Sequence, residues 1–307
     1  MTMTNTPEKK YSIFHLQGGI GKHIAATAIA QAIKANHPDR KLIVVCAYPD
    51  IFINLPYVHR VYTIGNTQYF YQEYVQGKDS ILFHHEPYYT TNHIHKRKSL
   101  IPNWCDMYGL TYNGELPDLK FNKLQYDLSQ KYWSRNKPIM VIHTNGGLQA
   151  LDAKPYSWTR DMPFDLAQDL VNHYKKDYHV FQSTKMNSPK LEGAEHVFAT
   201  QQKALSLMEY FSVLLHAKKR ILIDSSMQHA AAAMKRSSTV LWNGTSPTVF
   251  GYDQHNNIST QVPYDFKLPG SYLFDFDFNG NEVEYPYDRD VKLYDIDQII
   301  ASVDAQQ

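Results

Sequence analysis

Hydrophobic residues in this chain come in short unbroken runs, with glycine- or alanine-rich stretches between them. Tyr11–Leu16 is followed by the glycine loop Gln17–His23, then by the alanine- and isoleucine-rich segment Ile24–Asn36, then by the apolar run Lys41–Cys46. Such runs predict strands covered on both faces, and strand–helix–strand order predicts a βαβ unit in a parallel sheet. Further strands are expected at Val58–Ile64 and Ser80–His84. Tyr69–Tyr74 and His84–Lys98, dense in tyrosine and histidine, are expected to form long loops or short helices. The polar stretch Asp127–Pro138 reads as a linker. A second series follows: strand Ile139–Thr144, helix Phe164–Tyr174, strand Tyr178–Gln182, helix Leu205–His216, strand Arg220–Asp224, helix Met227–Lys235 and strand Thr239–Trp242. The pattern predicts an α/β protein of two Rossmann-like domains, residues 1–135 and 136–307. The last helix, Asp295–Val303, is free to pack back on the first domain.

Composition narrows the classes. The 307 residues accommodate two domains, and 43% hydrophobic with 20% charged residues is ordinary globular usage. A net charge of +1 leaves no global footprint for nucleic acid. The basic run His93–Lys98 reads as a solvated loop. Cys46 and Cys105 form no CxxC pair, so zinc ribbons and disulfide frameworks are excluded. No stretch approaches the ~18 apolar residues of a membrane span. Together these imply a cytoplasmic protein.

The loop Gly18-Gly19-Ile20-Gly21-Lys22-His23, between a strand and a helix, turns backbone N–H groups toward an anion. Three readings stay open. It resembles the P-loop variant KGGxGK[ST] of partition-type ATPases, but Gln17 replaces the leading lysine and His23 the magnesium-binding hydroxyl. It also resembles the first loop of GT-B glycosyltransferases, where a histidine lies over the interdomain cleft. The third reading is a tight turn in which His23 caps the helix. In the second, His23 is the first candidate for general base, since an imidazole accepts a proton near neutral pH.

The most informative segment is Ile221–Met234: a strand ending in Asp224, the hydroxyls Ser225 and Ser226 opening an alanine-rich helix, and His229 in its first turns. Free N–H groups, two hydroxyls and an imidazole make an anion site suited to a diphosphate. This segment, followed by Val240–Pro247 with Thr245 and then by Phe250–Tyr252, resembles heptosyltransferases of glycosyltransferase family 9. Upstream, Val141–Gly147 leading to Lys154–Trp158 is similar to that family's strand, polar loop and Lys-x-Trp-Pro. The segment Leu205–Ala217 matches the helix before its aspartate strand, and Asn54–Val61 echoes Pro-x-Val-Asp-Arg-Val. Lys22 stands where those enzymes carry a basic-acting aspartate, and Ser226 replaces a family glycine.

The resemblance implies a GT-B fold, two Rossmann-like domains with parallel sheets facing across a cleft. It implies an inverting transfer from a nucleotide-diphosphate sugar to a hydroxyl. Gly19, Gly21, Lys22, Thr144, Lys154, Asp224, Ser225, Ser226, His229 and Thr245 would bind the donor, with His23 as base and Glu86 as second candidate. No DxD-type acidic pair lies near the phosphate loops, so no metal and no cofactor beyond the nucleotide-sugar is expected. Two acceptors remain open. One is a lipopolysaccharide or other surface glycan. The other is a hydroxylated DNA base, suggested by Tyr69, Phe70, Tyr71, Tyr74, Tyr88, Tyr89, His93 and His95 beside Lys96-Arg97-Lys98. The alternatives are a P-loop-like ATPase using Gly18–Lys22 and a non-catalytic nucleotide-sugar-binding protein.

Overall fold

The computed structural model describes residues 9–146, 159–184, 188–197, 205–261 and 291–306. The chain divides into two compact units, Met1–Pro87 with Ile101–Lys120 and Tyr88–Leu100 with Phe121–Gln307.

In the first unit the strands β1 (Lys10–Leu16), β2 (Lys41–Cys46), β3 (Arg60–Thr63) and β4 (Asp79–Phe83) form a parallel sheet in the order β3-β2-β1-β4. The central strands β1 and β2 are buried on both faces, which is why they read as continuous apolar runs, whereas β3 and β4 stay partly exposed. Tyr11, Ile13, Ile43, Val45, Tyr62 and Tyr74 pack together on one side. The helix α1 (Ile20–Asn36) lies against β1 and β2, with Ala25, Ala26, Ala28, Ala30 and Ala32 fully buried. It starts four residues earlier than the apolar pattern indicates, directly after Gly19, so Gly21, Lys22 and His23 occupy its first turn. The short helix α2 (Phe70–Tyr74) follows β3.

The chain order β1, β2, β3 runs outward in one direction, and β4 is then added on the other side of β1. The strand order therefore reverses between β1 and β4. In open α/β sheets such a switch point, at the carboxyl ends of the strands, is where ligands bind.

The short helix α3 (Thr91–Ile94) belongs with the second unit, and α4 (Leu100–Met107) brings Trp104 against Phe14 of β1 at 6.0 Å. Residues 123–132, expected as linker, form the helix α5 (Lys123–Tyr132), closed at its start by reciprocal hydrogen bonds between Asn122 and Gln125.

The second sheet holds β5 (Ile139–His143), β6 (His179–Ser183), β7 (Glu195–Val197), β8 (Ala217–Ile223), β9 (Thr239–Trp242) and β10 (Asn256–Ser259). All are parallel, in the order β10-β9-β8-β5-β6-β7. Its helices are α6 (Phe164–Tyr174), α7 (Leu207–His216), α8 (Ser226–Ala233), α9 (Pro247–Phe250) and α10 (Ile296–Asp304). The last packs on β8, β9 and α6, burying Ile299 and Val303 in the second unit's core. Here the strand order reverses between β5 and β8. No helix among the described residues is long and apolar enough to cross a membrane.

Candidate active site

Each sheet places its chemistry-bearing residues at its own switch point. In the first unit, Gly18 and Gly19 follow β1 and Glu86 follows β4. Gly18 takes φ +92, open to glycine, and a Cβ there would overlap Nζ and Cε of Lys22. The lysine thus folds back across Gly18 and donates from Nζ to Glu86 Oε1 at 2.5 Å. The Glu86 side chain stays 30% exposed, which leaves a carboxylate reachable from solvent beside the turn. His15 and His84 meet edge to face beside it, with ring centroids 4.5 Å apart.

His23 is not available as the base. Its side chain is fully buried, Nδ1 lies 2.9 Å from the Gly19 carbonyl, and Nε2 accepts from the Ala47 N–H at 3.2 Å. Tyr48 packs edge to face on the ring at 4.9 Å. Burial pushes the imidazole down to about 4, with the Gly19 bond opposing and the Lys22 charge assisting. Both nitrogens are committed to backbone, so a substrate proton has nowhere to go. The sequence motif names this histidine, but only the approach of the β2 end shows that it ties α1 to the sheet. The same geometry weighs against the P-loop reading: α1 begins at Ile20, so only Gln17–Gly19 remain as loop after β1, and Lys22 is turned to Glu86.

In the second unit, the loops after β5, β8 and β9 converge. Gly146 lies against the start of α8: a Cβ on it would sit 3.6 Å from Ser225 Cβ. Ser225 caps α8 by accepting from the Met227 N–H at 3.2 Å, and Ser226 opens the helix, both half-buried. The segment 159–162 spans these loops. Thr159 O accepts from Gly244 N at 2.8 Å, Met162 N donates to Thr144 O at 2.9 Å, and Asp161 accepts from Gly146 N and Asn145 Nδ2, each at 3.0 Å. Arg160 lies in this segment, near enough for its charge to favour the ionised form of Asp224. The family pattern draws attention to lysine at this point, and Arg160 lies outside it.

Four expected donor contacts are turned inward. Thr144 is buried, donating to Asn145 Oδ1 at 2.8 Å and accepting from Gln182 at 3.1 Å, so its hydroxyl orders the loop. His229 is 6% exposed and pairs through Nδ1 with the Tyr252 hydroxyl at 2.7 Å. Burial drives it down to about 3, so it carries no charge toward a phosphate. Asp224 and Thr245 are buried side by side. Burial raises the Asp224 carboxyl, against Arg160, Thr245 and Gln228, which favour its ionised form. Gly19 and Gly21 lie at and inside the start of α1. Lys154 lies outside the described residues.

The aromatic and basic residues proposed to face an acceptor do not form one element. Tyr69 to Tyr74 belong to the first unit and 88–98 to the second, where His93 is buried edge to face between Tyr88 and Phe250 at 5.0 and 5.8 Å.

No family model matches the sequence, and no curated protein does. Solved structures do. A glycosyl transferase family 9 protein from Veillonella parvula DSM 2008 superposes with a TM-score of 0.62 at 13% identity, over 82% of this chain and 85% of that one. The E. coli ADP-heptose lps heptosyltransferase II does so with a TM-score of 0.62 at 10% identity, over 86% and 96%. The chain has their fold. E. coli heptosyltransferase WaaC, solved with ADP, follows with a TM-score of 0.52 at 12% identity, over 81% and 93%. The α/β class of two parallel-sheet, Rossmann-like units expected from the sequence is therefore the observed one, and it is the glycosyltransferase family 9 fold that the motifs resemble.

Proposed function

We propose that this chain is a glycosyltransferase that takes a sugar from a nucleoside diphosphate donor and passes it to a hydroxyl of a glycan. The observation that carries the reading is the meeting of Gly146 with the Ser225–Ser226 helix start at the second sheet's switch point, with the Arg160 charge acting on the neighbouring Asp224, on the fold of enzymes solved with ADP. The helix start supplies free N–H groups, the serines supply hydroxyls, and Arg160 supplies a fork of donors that fits phosphate oxygens. These groups meet the charge that grows on the departing diphosphate, so the transfer needs no metal. Thr144, Asp224, Thr245 and His229 act one layer down, ordering the loops that carry the contacts.

Glu86 is the base in this reading. One carboxylate oxygen is fixed by Lys22 and the other takes the acceptor proton as the hydroxyl oxygen bonds to the anomeric carbon. The bond from that carbon to the diphosphate oxygen breaks in the same displacement, inverting the centre. Cys46 and Cys105 are buried and outside any disulfide, which suits a reducing compartment, and we place the reaction in the cytoplasm.

A thermal-shift series of the full chain with ADP, UDP and GDP tests the donor half. ADP should raise the melting temperature, as ~2.7 kcal/mol of linkage at a hundredfold excess over Kd requires, and Arg160→Met should abolish the shift. The matching ADP-sugar is then incubated with deacylated lipopolysaccharide and with hydroxymethylated DNA, with and without EDTA, and products are weighed. A glycan product indifferent to EDTA is expected. Binding without any transfer would leave a nucleotide-sugar-binding protein, and no shift with any diphosphate sinks the reading.

A further inference from the structure

The first unit carries a second concave surface that the transfer chemistry leaves unused. β3 is the edge strand of its sheet. Beyond it the chain turns sharply, Asn66 N donating to Thr63 O at 3.0 Å, and runs into α2. Strand and loop enclose an open cavity of about 330 Å³ lined by Arg60, Tyr62, Asn66, Gln68, Tyr69 and Glu73. That size falls at the small end of the ~300–1,000 Å³ typical of small-molecule sites.

The lining is organised. The Arg60 guanidinium lies 5.0 Å over the Tyr62 ring and 3.5 Å from Glu73, and the Tyr62 hydroxyl reaches Glu73 at 3.5 Å and Tyr74 at 3.4 Å. Tyr69, by contrast, is 73% exposed and sits in left-handed backbone, φ 58 and ψ 6. Left-handed geometry is unfavourable for an aromatic residue, and such strain, when kept, marks functional surfaces. An open aromatic ring beside planar polar side chains is the pairing a pyranose needs. Its C–H face covers the ring, while guanidinium, carboxylate and amide groups each bridge neighbouring hydroxyls. Because Glu73 already meets the Arg60 charge, the cavity offers no net attraction to a polyanion such as DNA.

We propose that this cavity is a carbohydrate subsite, holding a sugar unit of the acceptor glycan other than the one that is modified, with Tyr69 as its stacking platform. The proposal rests on the reading of the acceptor as a glycan.

The test is an array of bacterial surface oligosaccharides probed with the full chain, alongside Tyr69→Asn, Tyr69→Phe and Glu73→Gln. Asparagine accepts the left-handed backbone, so Tyr69→Asn removes the ring without adding strain. Wild-type protein should retain a subset of oligosaccharides. Tyr69→Asn should bind them about tenfold more weakly, as loss of one aromatic platform requires, and Tyr69→Phe within about twofold of wild type. Glu73→Gln should shift the preference among them. The ADP thermal shift, measured on the same samples, should be unchanged in all three. A silent array, equal binding by Tyr69→Asn, or preferential capture of a hydroxymethylated oligodeoxynucleotide overturns the subsite. If ADP shifts the wild-type protein while the array is silent, only the subsite falls. If the array is positive and no diphosphate binds, the sugar site stands and the transferase reading falls.

Discussion

Glu86 and His23 lie in the same unit, close to the same glycine turn, and their surroundings give them opposite capacities. His23 has spent both ring nitrogens on backbone groups, whereas Glu86 keeps a solvent-reachable carboxylate. Glu86→Gln is therefore expected to lower kcat by ~10²–10⁴-fold, the usual contribution of a positioned base, while leaving the ADP thermal shift intact. Turnover at the wild-type rate in that variant removes Glu86 from the mechanism. His23→Gln should cost stability without altering the shape of the pH–rate profile. Both residues could be named from their places after strands. Which of them could accept a proton was not legible, because the Ala47 N–H that closes off His23 arrives from another strand.

At the scale of elements, the sharpest departure from the sequence pattern is α5. Its residues are polar enough to read as linker, yet Trp133 at its end donates to Ser212 at 2.7 Å and Ser129 pairs with His216 at 2.8 Å, so α7 holds it in place. The signal that could have shown this is the Asn122/Gln125 cap, three residues apart at the helix start. The buried Arg220 of β8 is a comparable device. It is 2% exposed and donates to the carbonyls of Ser237 at 2.9 Å and of Ala217, joining the end of α7 to the turn before β9. Burial holds its guanidinium down at about 10. Arg220→Met leaves those carbonyls unpaired and is expected to cost ~2–4 kcal/mol, read as a lower urea midpoint at constant m. An unchanged midpoint would mean that the carbonyls find other donors.

For the molecule as a whole, buried imidazoles set the response to acid. His23, His229 and His255 are held at about 4, 3 and 4, in each case chiefly by burial. Unfolded histidine titrates near ~6.5, so below that pH the unfolded chain binds protons that the folded chain refuses. Stability therefore rises with pH through this window. It is expected to fall as pH drops from ~6.5 toward ~4, by about 1.4 kcal/mol per pH unit for each histidine fully engaged. Asp224, raised by its burial, works in the opposite direction, one group against three. Urea midpoints measured between pH 7 and 4.5 check this; a flat profile would show that the three rings are not held neutral.

Local pattern determined the sheets. Continuous apolar runs demand cover on both faces, and glycine and small hydroxyl residues after strands mark where helices begin, so two parallel α/β units and the neighbourhoods of their ligand sites follow from order along the chain. Strand order does not follow from it. Only pairing across the sheet put the reversal between β1 and β4 and between β5 and β8, brought Glu86 to Lys22 and Gly146 to Ser225, and set the Arg160 charge acting on Asp224. The physical reason is that charge and solvent exposure at a site are set by residues distant in sequence. A histidine or threonine in the right motif becomes a contact or a brace according to which neighbour folding delivers to it.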